Sequence, residues 1–463
     1  MIALSIAMLL YVVARSAAVS LPFEARPKTF QLVQESSKDA SNPFNFTQYN
    51  GGAFAIAYLA SITVGEAEFQ VHLDTGSADL WLDTANLKPS GTQDAGLNVS
   101  LTYFDTTVAS GPILISNATF GAFTVPQAFI SAPGSNATHN IDTGLLGLGP
   151  PKLSKISEGL QSTAFNGVTL LENIFAANPS EPNYFTFQLS RSESMGTTNG
   201  GTFAIGELNS TLSGISSAPK LDIVSADRWI TFMDGIIVNG KNVTGNSQFN
   251  NMTGQGPTQT LANFDTGTTL ALVPKVYADA IYSSVPGAFF VPTQNGYVVP
   301  CDTKIDLSFI FGGVAYPIHP IDTVNVVANG TELVCFGAFT VPPEGHGSAT
   351  EDFLLGDTFL RNVYSLFDFG SFISGTTPPF VQLLSTTDAS AADSEFATLS
   401  AQRNASITGT VPSTGGGGGS GGGGGSGSGA GSGTGGKSGA PRSTMLSTAL
   451  LSAIVFGVVM VLN

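Results

Sequence analysis

Charge is scarce in this sequence. Only 11% of its 463 residues are Asp, Glu, Lys or Arg, and cations are the rarer kind: 17 Lys and Arg against 33 Asp and Glu, a formal net charge of −16. Phosphate binding needs clustered cations, so nucleic acid is excluded as a partner. Few cations also mean little self-repulsion once the carboxylates neutralise, a composition suited to low pH. Long runs of 3.6-residue periodicity are nearly absent, with "PKVYADAIYSSV" the best helix candidate, which excludes a mainly helical fold. Cysteine is limited to Cys301 and Cys335, leaving a single possible pairing.

The two ends carry processing signals. "IALSIAMLLYVV" followed by the small residues of "RSAAVS" reads as a signal peptide over residues 1–18, which implies an oxidising compartment where the two cysteines pair. The chain closes on "ALLSAIVFGVVMVLN" with no basic flank of the kind a spanning helix carries. Small residues, a polar spacer and a terminal apolar tail make a GPI-attachment signal over 439–463, with Ser438 the first choice of attachment site and Gly435 the second. Sequons at Asn45, Asn98, Asn117, Asn136, Asn209, Asn242, Asn251, Asn329 and Asn404 agree with a secreted, glycosylated surface. Residues 386–438, with the run "TGGGGGSGGGGGSGSGAGSGTGG", cannot bury a core; as a coil they would reach about 40 Å.

Between these ends, short apolar runs such as "EFQVHLDT", "GTFAIGEL" and "IDLSFIFGGVAYPI" alternate with Gly, Pro and Asn, the pattern of a mainly β body. Inside one of these strands stands an oddity. Asp74 ends "VHLD" and runs at once into Thr-Gly-Ser, with no Arg or Lys nearby in sequence to compensate a buried carboxylate. The stretch has a twin: "HLDTGSADLWL" returns as "NFDTGTTLALV". Each copy is followed at a distance by a Leu-Leu-Gly element, "GLLGLG" ending near Gly147 and "FLLGDTFL" around Gly356. One Asp-Thr-Gly is weak; two matched pairs of landmarks in order imply two similar lobes.

With these motifs the chain resembles the pepsin-like aspartic proteases over roughly residues 46–385, and with its terminal signal it is most similar to the fungal GPI-anchored, yapsin-like members. The resemblance implies two β-rich lobes, 46–210 and 211–385, with an active-site cleft between them and Asp74 and Asp265 meeting at its floor. It implies peptide hydrolysis by a water held between two carboxyls that share one proton, with no metal and no cofactor. Gly76 and Gly267 would turn the loops and present N–H groups, Ser77 and Thr268 would bond the outer carboxylate oxygens, and Thr75 and Thr266 would reach across to the opposite loop. A flap carrying Tyr103 would close over the substrate, its hydroxyl meeting the indole of Trp81, with Asp105 binding substrate amides. The partners implied are protein or peptide substrates and, through the anchor, the cell-surface membrane or wall; a monomer is expected.

This chain departs from the family pattern in three places. Phe104 and Thr106 stand where the flap commonly has glycines. His72 and Asn263, two residues before the aspartates and therefore on the same strand face, replace the aliphatic residues usual beside the scissile bond. The segment 19–45, with Arg26, Lys28 and Lys38, is shorter than the family's inhibitory pro-segment. The rival readings are a catalytically inactive pepsin-like binding or wall protein, which would commonly have lost an Asp or a flanking Gly, and a glycosidase, whose carboxyls stand farther apart, about 5–9.5 Å.

Overall fold

The computed structural model of the chain describes residues 19–27, 56–138, 142–191, 198–245, 247–249, 252–329, 332–343 and 350–408. The expected signal peptide, most of the 19–45 segment, Asn45, Asn251 and everything from residue 409, including Gly435, Ser438 and the apolar tail, lie outside the described residues.

Strands dominate, as the alternating apolar runs imply. One sheet of 13 strands starts in the C-terminal half and passes through Tyr184–Leu189, Thr198–Ile205, Val19–Pro27 and Ile56–Val64 into Ala67–Asp74 and the rest of the N-terminal half. Three further sheets, of five, four and four strands, complete the C-terminal half. The described part of the expected pro-segment, Val19–Pro27, is thus a strand of the large sheet, paired with Thr198–Ile205 and Ile56–Val64. Aromatic rings fill the seam behind the loops. Phe185 stacks on Phe367 with centroids 4.8 Å apart, and Trp229 sets its edge against Phe367 and Phe369. The Trp229 indole N–H donates to the Leu148 carbonyl at 3.1 Å.

The two halves repeat one strand arrangement. Ala67–Asp74 runs parallel to Gly144–Gly147, with His72 beside Leu145; that strand is antiparallel to Leu80–Leu82, with Trp81 beside Leu145. Thr260–Phe264 runs parallel to Phe353–Leu355, with Asn263 beside Leu354; that strand is antiparallel to Ala271–Leu272, with Leu272 beside Leu354. Alternation then sorts the faces. Val71, Leu73, Leu80, Leu82 and Leu146 join the main core, as do Ala262, Phe264, Ala271, Phe353 and Leu355. His72, Trp81 and Leu145, and in the other half Asn263, Leu272 and Leu354, therefore turn away from that core.

One boundary needs correction. The coil expected from residue 386 does not begin there, because Ala389–Thr408 is a helix of 20 residues docked on the C-terminal half. Ala392 and Phe396 are buried, Arg403 Nη1 donates to the carbonyls of Ile321 and Val324 at 2.8 Å each, and Lys304 pairs with Asp393. The folded body thus extends to 408.

Cys301 and Cys335, 34 residues apart, form a disulfide. Closing a loop of this length removes unfolded-state entropy worth about 3–4 kcal/mol in the chain-entropy model. Replacing both cysteines by alanine is expected to lower the denaturant-unfolding free energy by about that amount; a loss below about 1 kcal/mol would show that the loop is held by its surroundings instead.

Candidate active site

The strands ending at Asp74 and Phe264 deliver two loops that face each other across the junction of the halves. The threonines exchange bonds with near two-fold symmetry. Thr75 donates its N–H to Thr266 Oγ1 at 3.0 Å, and Thr266 donates its N–H to Thr75 Oγ1 at 3.0 Å. Each hydroxyl then donates onward into the opposite half, Thr75 to the Phe264 carbonyl at 2.9 Å and Thr266 to the Leu73 carbonyl at 2.8 Å. Residues 191 apart in sequence are thereby locked together in a buried setting.

The carboxyls sit above this lock and are fully buried. Gly76 N–H donates to Asp74 Oδ1 at 2.8 Å and Ser77 Oγ donates to Asp74 Oδ2. Gly267 N–H donates to Asp265 Oδ1 at 2.8 Å and Thr268 Oγ1 donates to Asp265 Oδ2 at 2.8 Å. The glycines are sterically required. A Cβ on Gly76 would stand 2.6 Å from Asp265 Oδ1, and one on Gly267 would lie closer still to Asp74 Oδ1. Gly147 and Gly356 serve one layer behind: a Cβ at either would collide with the backbone of Ala78 or of Thr268 and Leu270. The Leu-Leu-Gly elements are therefore the supports on which the Asp loops rest.

Burial raises the pKa of both aspartates. At Asp74 the charge of Asp265 adds to the rise, whereas at Asp265 the bonds from Thr268, Asp74 and Gly267 and the charge of Arg228 oppose it. The two carboxyls are hydrogen-bonded to each other, and because both cannot ionise cheaply in contact, the pair holds one proton between them. Carboxyls in contact are not spaced for a glycosidase.

The flap is the hairpin of Gln93–Thr102 and Val108–Phe120. Tyr103 is fully buried and its hydroxyl accepts from Trp81 Nε1 at 2.6 Å. Asp105 Oδ1 accepts from Thr107 N–H at 2.9 Å and from its hydroxyl at 2.6 Å, so this oxygen braces the flap tip. Thr106 adopts φ 68°, the left-handed conformation that the missing glycine would favour. Phe104 reaches over the cleft to pack against Leu354 of the opposite half, which Leu272 also touches. His72 and Asn263 are both buried, 1% exposed, on the face that carries the carboxyls.

Some of the site was not visible in the motifs. Asp79 is buried and holds the start of the helix Lys155–Leu160, accepting from Ser154 Oγ at 2.5 Å and from the N–H groups of Lys155 and Ile156 at 2.8 and 3.1 Å. Asp322 lies buried between Arg191 at 2.6 Å and Arg361 at 3.2 Å. Burial alone would raise its pKa, but the two guanidinium groups hold it below the usual carboxylate range. Each is a single acid in its own stretch of sequence, and the only signal available was an acid inside a strongly apolar context.

A two-lobed β protein in which symmetric loops hold two buried carboxyls around one proton is built for acid–base attack of water on a polar bond. Comparison with known proteins agrees. The profile of the eukaryotic aspartyl protease family matches residues 57–376, and the chain belongs to that family of aspartic-type endopeptidases. It is similar to an aspartic protease of Phaffia rhodozyma, 26% identical over 340 residues, covering 68% of this chain and 74% of the relative. Penicillopepsin-1 of Talaromyces stipitatus is 27% identical over 328 residues, covering 67% of this chain and 75% of the relative. Major aspartyl peptidase 1 of Cryptococcus neoformans is 27% identical over 348 residues, covering 67% of this chain and 66% of the relative.

The raised carboxyls set the sign of the pH dependence of stability. A carboxyl whose pKa is higher folded than unfolded (about 3.9 for Asp) makes the folded state bind more protons above that value, so stability falls as pH rises through the window between the two. Asp74, Asp265 and Asp79 all act in this sense. Asp322 acts oppositely, its contribution present above the unfolded value and lost only as pH falls through its lowered folded value. Asp74→Asn is therefore expected to melt higher than wild type at pH 7, with the gap narrowing toward pH 4. Thermal unfolding at the two pH values checks this; an equal or lower melting temperature for the variant at pH 7 contradicts it.

Proposed function

We propose that the protein is an acid endopeptidase of the cell surface, delivered through the secretory pathway and held by a GPI anchor. The observation that carries the catalytic part is the pair of fully buried carboxyls hydrogen-bonded to each other. A water placed between them attacks the peptide carbonyl carbon. The ionised carboxyl of the pair takes a proton from the water while the protonated one gives its proton to the carbonyl oxygen, forming a gem-diol. The carboxyl that took the water's proton then passes it to the leaving nitrogen, the C–N bond breaks, and a diol proton returns to the other carboxyl. The products are a carboxylic acid and an amine, and the dyad is restored. Tyr103 and its Trp81 bond hold the flap over the reacting strand, and the threonine lock keeps both carboxyls aligned.

Several features support secretion and anchoring. The disulfide suits an oxidising compartment. Asn98, Asn117, Asn136 and Asn242 are exposed, as acceptors of N-glycans must be; Asn209 and Asn404 are half-buried, and Asn329 lies in the strand Val324–Asn329. A signal peptide at 1–18, the short segment 19–45, a Gly/Ser tether now starting after the helix at 408, and the attachment signal with Ser438 complete the arrangement. The proposed enzyme acts as a monomer on protein or peptide substrates.

Asp74→Asn and Asp265→Asn are each expected to lower peptide hydrolysis at pH 3–5 by at least about 10²–10⁴-fold without unfolding the protein; either variant retaining activity ends the catalytic reading. Phosphatidylinositol-specific phospholipase C is expected to release the mature protein from membranes, and mass spectrometry is expected to find no peptide from residues 446–463 in it. Recovery of such peptides from the mature protein refutes the anchor.

A further inference from the structure

Beside the dyad stands a carboxamide whose hydrogen-bonding groups are unmatched. Asn263 is 1% exposed, and neither its Oδ1 nor its Nδ2 bonds to any described residue. Burying a donor and an acceptor without partners is costly, and such a site persists where a ligand supplies the match. The position fits that explanation. Asn263 precedes Asp265 by two residues on the strand Thr260–Phe264, and its neighbours Ala262 and Phe264 point into the main core, so its amide lies on the carboxyl face. In register beside it is Leu354, and beside Leu354 is Leu272. Phe104 of the flap packs against Leu354 from the opposite half. An unmatched amide, two leucines and a flap ring are thus brought together next to the place where the peptide bond would be cut.

We propose that Asn263 makes this cluster selective for a carboxamide side chain, glutamine or asparagine, on the substrate residue at one of the two positions flanking the scissile bond. This deepens the proteolytic reading above and rests on it. A substrate carboxamide satisfies both halves of Asn263 together: its carbonyl accepts from Nδ2 and its N–H donates to Oδ1. The methylene stem of glutamine lies along Leu354, Leu272 and the Phe104 ring. A leucine of similar size fills the space but leaves both Asn263 groups buried and unmatched, a defect that sites of this kind reject strongly. A lysine brings no acceptor for Nδ2, and an ionised glutamate brings no donor for Oδ1 and adds a charge beside the dyad.

The test is cleavage of a peptide library randomised at both flanking positions, at pH 3–5, by wild type, Asn263→Leu and Asp74→Asn. The inference expects glutamine or asparagine to be cleaved at least about tenfold faster than leucine at one flanking position by wild type. It expects Asn263→Leu to reverse that order at the same position and to leave the other position unchanged. Wild-type cleavage that favours aliphatic residues at both positions overturns the inference and leaves the protease reading intact, and this outcome needs no variant to fold. A preference for carboxamides that Asn263→Leu does not alter also overturns it. Absence of any cleavage that exceeds the Asp74→Asn control removes the protease reading and the inference together.

Discussion

The structure hangs on the exchange between Thr75 and Thr266. Two carboxyls buried in contact lose hydration and, if both ionised, repel one another strongly. They stay together only because the loops beneath them cannot part. Each of the four threonine bonds contributes about 1 kcal/mol net, and each breaks if the halves separate. Everything adjacent serves this lock. The glycines at 76 and 267 let each loop lie against the opposing carboxyl, the glycines at 147 and 356 let a strand lie directly behind it, and the ring cluster around Phe185 and Trp229 fills the seam. The geometry that repels a dianion therefore retains one proton, which is what an acid–base pair needs.

Much of this was legible in the sequence because it is written twice. The paired Asp-Thr-Gly and Leu-Leu-Gly elements made two lobes and a shared dyad readable, and strand alternation puts His72 and Asn263 on the carboxyl face. What could not be read was non-local or aperiodic. Among the residues of the helix 389–408 whose burial is described, Phe396 is the one large buried apolar side chain, and the sequence has no apolar stripe there, so the periodicity that reveals most helices was missing. Its alanines favour the helix, and Phe396 with Arg403 docks it. The Asp322 cluster joins Arg191 to a residue 131 positions away, and single charges carry no sequence period. Phe104 reads locally as a replaced glycine; its contact with Leu354 depends on how the flap crosses the cleft.

The flap shows that two lost glycines can have different consequences. At Thr106 the backbone keeps the left-handed conformation, fixed by the turn from Thr106 N–H to the Tyr103 carbonyl at 2.9 Å and by the Asp105 brace. A β-branched residue there costs about 1–2 kcal/mol. At Phe104 the change adds a side chain that gains apolar contact with the opposite half. Strain at the tip is thus offset by an anchor across the cleft, and a flap that glycines would leave loose is held by a ring on one side and an Asx turn on the other.

The scarcity of cations now has a structural meaning. Two of the chain's few arginines, Arg191 and Arg361, are spent inside the protein on Asp322, far from any role in solvating the surface. The dyad relies instead mainly on backbone N–H groups, hydroxyls and its own shared proton, with Arg228 only tempering Asp265. These donors do not titrate in the acid range, so falling pH changes the protonation of the pair without dissolving its surroundings. A site held by lysine or histidine partners would couple its geometry to those partners' charges. Here the dyad's geometry is set by donors indifferent to pH and its chemistry by two carboxyls that are not, so the protonation of the pair can change while the loops that hold it stay in place.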